Sequence, residues 1–125
     1  MQFKIDTKDF YTHIMPVGNR IDAIMTGALR EKWSELAQKG PTNALIDLSN
    51  CTEADSTSFA ELVQLHEEVY SSAVSLVFTG VQEHIMKEFK KEHVDTQINI
   101  VPTMAEAIDM ISMEILERDL FNEES

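Results

Sequence analysis

Apolar and polar positions along this chain change period several times, and each change marks an element. The run Ala44-Leu45-Ile46-Asp47-Leu48 is short and nearly all apolar, bounded by Pro41 before it and Ser49-Asn50 after it. A strand covered by helices on both faces has this pattern. Phe59, Leu62, Val63, His66, Val69 and Tyr70 then recur at three- and four-residue spacing, a helical stripe that follows Ser56-Thr57-Ser58. Two strand segments come earlier, Gln2 to Ile5 and Phe10 to Val17, the second bent at Pro16. Gly18-Asn19 is a turn signal. Asp22 is placed to cap a helix over Ala23 to Gln38, which Lys39-Gly40-Pro41 ends. Val74 to Phe78 reads as a buried strand closed by Thr79-Gly80, Val81 to Lys91 as a short helix, and Gln97 to Val101 as a last strand. Thr103 with Glu106 three residues on is a capping-box pattern. The helix it starts is expected to run to about Arg118, with residues 119–125 frayed.

Strands alternating with helices imply right-handed crossovers and a parallel sheet. The expected fold is therefore a single α/β domain over residues 1–125, with its core in about 10–118. Its sheet is mixed, mostly parallel and flanked by helices, with the first strand antiparallel at an edge.

Composition narrows what such a domain does. The 125 residues fit one core, and an apolar fraction of 43% is that of a globular protein. A net charge of −12 leaves no basic stripe for nucleic acid and disfavours an anionic membrane surface. One cysteine, Cys51, forms no internal disulfide, which fits a reducing cytoplasm. The first residues, MQFKIDTKDF, lack an apolar signal region, and no run reaches membrane-spanning length. A cytoplasmic location is expected.

Candidate chemistry centres on Ser56. A hydroxyl at the mouth of a helix lies where backbone N–H groups are unpaired and the helix dipole is positive, so a phosphate there would be held. The plainer reading is that Ser56, Thr57 and Ser58 cap the helix, worth roughly 1 kcal/mol. Asp22, Asp47 and Asp55 each fall near a strand or helix end on one side of the sheet. A metal-dependent phosphoacceptor site of the receiver type does not fit: no paired acids end the first strand, and no lysine follows the last strand in IVPTM. Asp47, inside an apolar strand, reads as a hydrogen-bonded structural residue. His13, His66, His84 and His93 lack metal-ligand spacing, and His66 lies on an apolar helix face as a partly buried side chain. Cys51 sits among acids that raise a thiol pKa and reads as structural. With no Gly-rich phosphate loop and no nucleophile–base pair, no enzyme, cofactor or metal is expected.

The last helix has two stripes. Met104, Ile108, Ile111 and Ile115 form one; Met110, Met113, Leu116 and Leu120 form another on roughly the opposite side. The second is either a surface for self-association or partner docking, or the mark of a helix wedged deep in the core.

The order of elements resembles the STAS domain. So do Asp22 after a Gly-containing turn, the ALIDLS strand, the pair Asp55-Ser56 with its helix, VSLVFTG, and TMAEAIDMI. The resemblance covers about Phe10 to Ile115. It implies an anti-sigma factor antagonist-like interaction module of bacterial signalling, non-enzymatic, whose partner is an anti-sigma factor or related serine kinase. By position, Ser56 corresponds to the serine that such a kinase phosphorylates, with Thr57 as secondary candidate. Asp22, Asp55, Ser56, Thr57, Ser58 and Phe59 correspond to the partner-binding surface. The glycine usual just after the serine is absent. The alternative is an unphosphorylated scaffold subunit that oligomerises, as a homodimer or larger, through the last helix.

Overall fold

The structure is a computed structural model that describes residues 2–124, with the backbone alone for Glu123 and Glu124. The described residues form seven strands, β1 (Phe3–Thr7), β2 (Thr12–Pro16), β3 (Arg20–Ile21), β4 (Ala44–Asp47), β5 (Glu53–Ala54), β6 (Leu76–Thr79) and β7 (Ile100–Val101). The helices are α1 (Ala23–Gln38), α2 (Phe59–Ser71), α3 (Glu83–Lys91) and α4 (Met104–Glu124), with short 3-10 turns at Ser56–Ser58 and Val94–Thr96. The main sheet has the order β1-β2-β4-β6-β7, antiparallel between β1 and β2 and parallel elsewhere. The expected mixed, mostly parallel α/β fold is therefore present, with the first strand antiparallel at the edge.

Alternation along the strands sorts the core into two layers. Ile14, Ala44, Ile46, Leu76 and Phe78 point to one face and meet Met25, Leu29 and Trp33 of α1, Leu62, Leu65 and Val69 of α2, and Ile85 and Phe89 of α3. Leu45 and Val77 point to the other face, where Ala107 and Ile111 of α4 cover them. Three helices thus share one face and α4 covers the other. Both sides of β4 and β6 are dry, which explains their unbroken apolar runs.

Several boundaries differ from expectation: the strands expected over Gln2 to Ile5, Phe10 to Val17 and Val74 to Phe78 are Phe3–Thr7, Thr12–Pro16 and Leu76–Thr79, and the helix expected from Val81 starts at Glu83. The last strand is only Ile100–Val101, because Gln97 closes the preceding turn by donating its N–H to the Val94 carbonyl. The last helix does not stop near Arg118 but continues to Glu124. A second, two-stranded sheet, β3 with β5, lies outside the sequence pattern, since two-residue strands carry no periodicity. Thr103 caps α4 as expected, accepting the Glu106 N–H at 3.2 Å.

Candidate functional site

The small sheet assembles the candidate site at the carboxyl ends of the parallel strands. Its register pairs Arg20 with Glu53 and Ile21 with Ala54, and the Asp55 N–H donates to the Ile21 carbonyl at 2.8 Å. Asp22 and Asp55 therefore leave neighbouring strands side by side, and each starts a helical segment. Asp22 accepts the Met25 N–H at 2.9 Å. Asp55 accepts the Thr57 hydroxyl at 2.8 Å and the Thr57 N–H at 3.1 Å. These two bonds, with Arg20 nearby, hold the Asp55 carboxyl below the ordinary carboxylate range. Arg20 also reaches Glu53 at 3.3 Å and Asp22 at 3.9 Å, so this nearby cation is already engaged by acids.

The cap over the first turn is thus Asp55 and not the hydroxyls of residues 56–58. Ser58 instead donates its hydroxyl back to the Asp55 carbonyl at 2.7 Å. Ser56 and Thr57 are exposed at the start of this turn. Ser58 and Phe59 are not surface residues: they are 1% and 3% exposed, and the Phe59 ring meets Phe89 edge-on with centroids 4.8 Å apart. Of the six positions assigned to partner contact, Ser56 and Thr57 are exposed and Asp22 and Asp55 half-buried, while Ser58 and Phe59 hold the turn from beneath. Ser58 has φ −89 and ψ −7, an ordinary right-handed conformation, so the turn forms without a glycine.

One surface residue here lies outside the site expected from the sequence. Ile24, in the first turn of α1, is 73% exposed. It is out of phase with the buried positions Met25, Leu29 and Trp33, and that phase was the available clue. Helix α1 packs against the Ser56–Ser58 turn, and the Thr26 hydroxyl ties α1 to Glu61 of α2 at 2.7 Å. An exposed apolar side chain thus stands on the same edge as two exposed hydroxyls and two capping carboxylates.

Asp47 lies deeper on this edge and is structural, as its setting in an apolar strand implied. Its carboxylate accepts the Ser49 N–H at 3.0 Å and lies 3.1 Å from His13 Nε2. Burial pushes its pKa up, but Ser49 and His13 outweigh that and hold it below the ordinary value. Gly80, with φ +75, passes so close that a Cβ would lie 2.8 Å from Asp47 Oδ1 and 3.0 Å from the Ser49 nitrogen. Burial, and then the Asp47 charge, raise the Cys51 thiol to about 11, so it is a core residue and not a nucleophile.

A second polar cluster occupies the opposite, amino edge of the sheet. Ser75, fully buried, donates its hydroxyl to Glu114 at 2.5 Å and accepts from Arg118 at 3.0 Å. Asn43 Oδ1 accepts from the Ser75 N–H at 2.7 Å and from Arg118 at 3.2 Å. Tyr70 donates to Glu114 at 2.7 Å, and burial followed by that bond raises its pKa to about 12. The Asn99 side-chain amide donates to the Tyr70 oxygen at 2.6 Å, and the Asn99 backbone N–H donates to His66 Nε2 at 3.2 Å. His66 is the half-buried, satisfied histidine expected. Among the described residues no His, Cys, Asp and Glu group could hold a metal ion.

On α4, Met113, Leu116 and Leu120 are 61%, 61% and 59% exposed, while Met110 is half-buried against the small core cluster. Phe121, which falls outside both expected stripes, is 71% exposed. No helix among the described residues is long and apolar enough to cross a membrane.

Comparison with known proteins places this geometry. The family model described as the STAS domain matches residues 4–107. An anti-sigma factor antagonist from Mycobacterium paratuberculosis is similar in structure with a TM-score of 0.73 and 16% identity, over 89% of this chain and 93% of that one. The anti-sigma factor antagonist SpoIIAA in its unphosphorylated form gives 0.68 and 17%, over 89% and 96%. An anti-sigma-factor antagonist (STAS) domain protein from Planctomyces limnophilus gives 0.67 and 18%, over 87% and 96%. At these identities the structural likeness is one of fold. No curated protein matches the sequence.

Proposed function

This chain belongs to the STAS domain family, and from that premise we propose that it is an anti-sigma factor antagonist-like module switched by phosphorylation at Ser56. In the unmodified state it captures an anti-sigma factor or related serine kinase in the cytoplasm. The contact surface is Asp22, Ile24, Asp55, Ser56 and Thr57, with Ser58 and Phe59 as its support. The protein works by binding and performs no catalysis of its own.

The observation that carries this reading is the placing of Ser56, exposed at the first residue of a helical turn whose N-cap is a carboxylate. Phosphorylation adds about two negative charges and three acceptor oxygens. Here those charges would arrive beside Asp55, which already occupies the turn's Thr57 N–H, and near Asp22 and Glu53, which already engage Arg20. The phosphate therefore gains little locally. It puts charge that no free local cation offsets into the contact surface, and a partner docked on the neutral serine is released. Thr57, whose hydroxyl is committed to Asp55, is the poorer acceptor.

The test is a titration of wild type, Ser56→Ala and Ser56→Asp against the anti-sigma factor encoded nearest in the source genome, with phosphosite mapping of protein from native cells. Ser56→Asp should weaken binding about tenfold more than Ser56→Ala does. Equal affinities, or a phosphate mapped elsewhere, would overturn the switch. A scaffold subunit assembled from copies of this chain remains the competing reading, because Met113, Leu116 and Leu120 are exposed; sedimentation of the wild type as a monomer would exclude it.

A further inference from the structure

The outer face of α4 is not needed by the fold. Its inner face already fills its layer, with Ala107 and Ile111 fully buried against Leu45 and Val77. Met113, Leu116 and Leu120 nevertheless recur at three- and four-residue spacing on the solvent side, all more than half exposed. With Met110 at one end, the stripe is about 15 Å long, two to three helical turns. That matches the anchor spacing with which one amphipathic helix reads another.

Charge decides what lies on it. Glu106, Asp109 and Glu117 are exposed beside the stripe, and with Met110 and Met113 they line a shallow groove. The sole base in the α4 sequence, Arg118, is turned inward to Ser75 and Asn43. A second copy of this chain would set acids against acids, on a molecule that already carries −12. A helix with lysines or arginines flanking an apolar stripe would pair with the acids while its side chains repack the flexible methionines. We propose that the outer face of α4 is a docking site for a basic amphipathic helix of another protein. Because α4 covers the sheet face opposite α1 and α2, this partner and one bound at Ser56 occupy different sides of the domain. The chain would then link two proteins, of which only the one at Ser56 is subject to the phosphate.

A synthetic amphipathic peptide of about 18 residues, leucine-striped and lysine-flanked, is the probe, titrated against the whole protein by fluorescence anisotropy. The wild type should bind it. Leu116→Ser with Leu120→Ser, which leaves net charge unchanged, should weaken it at least about tenfold. A peptide with glutamates in place of the lysines should bind about tenfold or more weakly. Should the leucine variant lose its circular-dichroism helix signal, Asp109→Asn with Glu117→Gln serves instead and should weaken the lysine peptide. The proposal is overturned if the wild type does not bind. Unchanged affinity in these variants, or equal binding of both peptides, also overturns it. A wild-type dimer that Met113→Glu returns to monomer would assign the stripe to a second copy and overturn it as well.

Discussion

Ser56 follows the carboxyl end of β4 and Ser75 precedes the amino end of β6, and their surroundings differ in what governs a hydroxyl's chemistry. Ser56 is exposed at the start of a turn, beside a carboxylate that has already taken the capping role. Ser75 is fully buried, and its hydroxyl is fixed between Glu114 and Arg118. The amino edge is closed by a polar network reaching from His66 to Asn43, which clamps the second half of α4 to the sheet. The carboxyl edge is held by short-range caps and leaves its hydroxyls on the surface. The switch proposed at Ser56 would need both: a latch that survives partner exchange, and a surface that can be recharged without unfolding anything beneath it.

Breaking the latch should have the largest effect. Glu114→Ala strips the acceptor from the fully buried Ser75 hydroxyl and leaves the half-buried Tyr70 hydroxyl with the Leu76 carbonyl at 3.4 Å. The expected loss is about 3 kcal/mol, a fall in Tm of about 10 °C by thermal melt. Binding through the Ser56 surface should be unchanged in the protein that remains folded. A melt indistinguishable from wild type would show that the network contributes nothing to stability.

Gly80→Ala asks how far the carboxyl edge is itself fixed. At φ +75, with Asp47 Oδ1 2.8 Å from the new Cβ, alanine meets both strain and collision. About 2 kcal/mol should be lost, read by urea unfolding. A smaller loss would mean that Asp47 and Ser49 give way, and that this edge is softer than the latch.

The two serines can be compared directly. Ser75→Ala should cost about 1.5 kcal/mol through the lost contacts to Glu114 and Arg118. Ser56→Ala should stay within about 0.5 kcal/mol of wild type, as surface changes do. Equal costs in denaturant titrations would erase the distinction between a structural and a modifiable serine.

The contrast also separates what the sequence showed from what it hid. The strand Ala44–Asp47, the stripe from Phe59 and the cap at Asp22 were legible because each lies within one element, where period or local chemistry declares it. That same stripe already implied a buried Phe59; its place in the contact surface came only from the family pattern. Ser58 was hidden for a related reason, since nothing local distinguishes a hydroxyl that folds back on a carbonyl from one that faces solvent. The latch was invisible because its partners lie far apart in the chain, Ser75 and Glu114 by 39 residues and Asn43 and Arg118 by 75. Ser75 and Asn43 carry no sign of one another until β4 and β6 pair. The exposed half of α4 was legible as a second stripe, but which stripe faced the core was decided by Leu45 and Val77 on other elements.

The smallest effect separates the edges by pH. Burial lowers the His66 pKa below its ordinary 6.5, against the opposing charges of Glu114 and Glu67. Its Nε2 accepts the Asn99 N–H, and only the neutral ring can do so. The unfolded chain therefore binds this proton more readily than the folded one does. The resulting stability is fully present above pH 6.5 and is lost as pH falls through the lowered folded value. The contribution is modest, because the ring is only half-buried. On the other edge, Asp47 and Asp55 have pKa values below their ordinary 3.8, so their contributions persist until the solution is far more acidic. Between neutral pH and about pH 5, unfolding titrations should therefore show a decline in wild type that is shallower in His66→Gln, because glutamine has no proton to take up. Ser56→Ala should follow the wild-type slope. Parallel slopes for wild type and His66→Gln would assign the decline to other groups and leave the amino edge no more pH-sensitive than the carboxyl one.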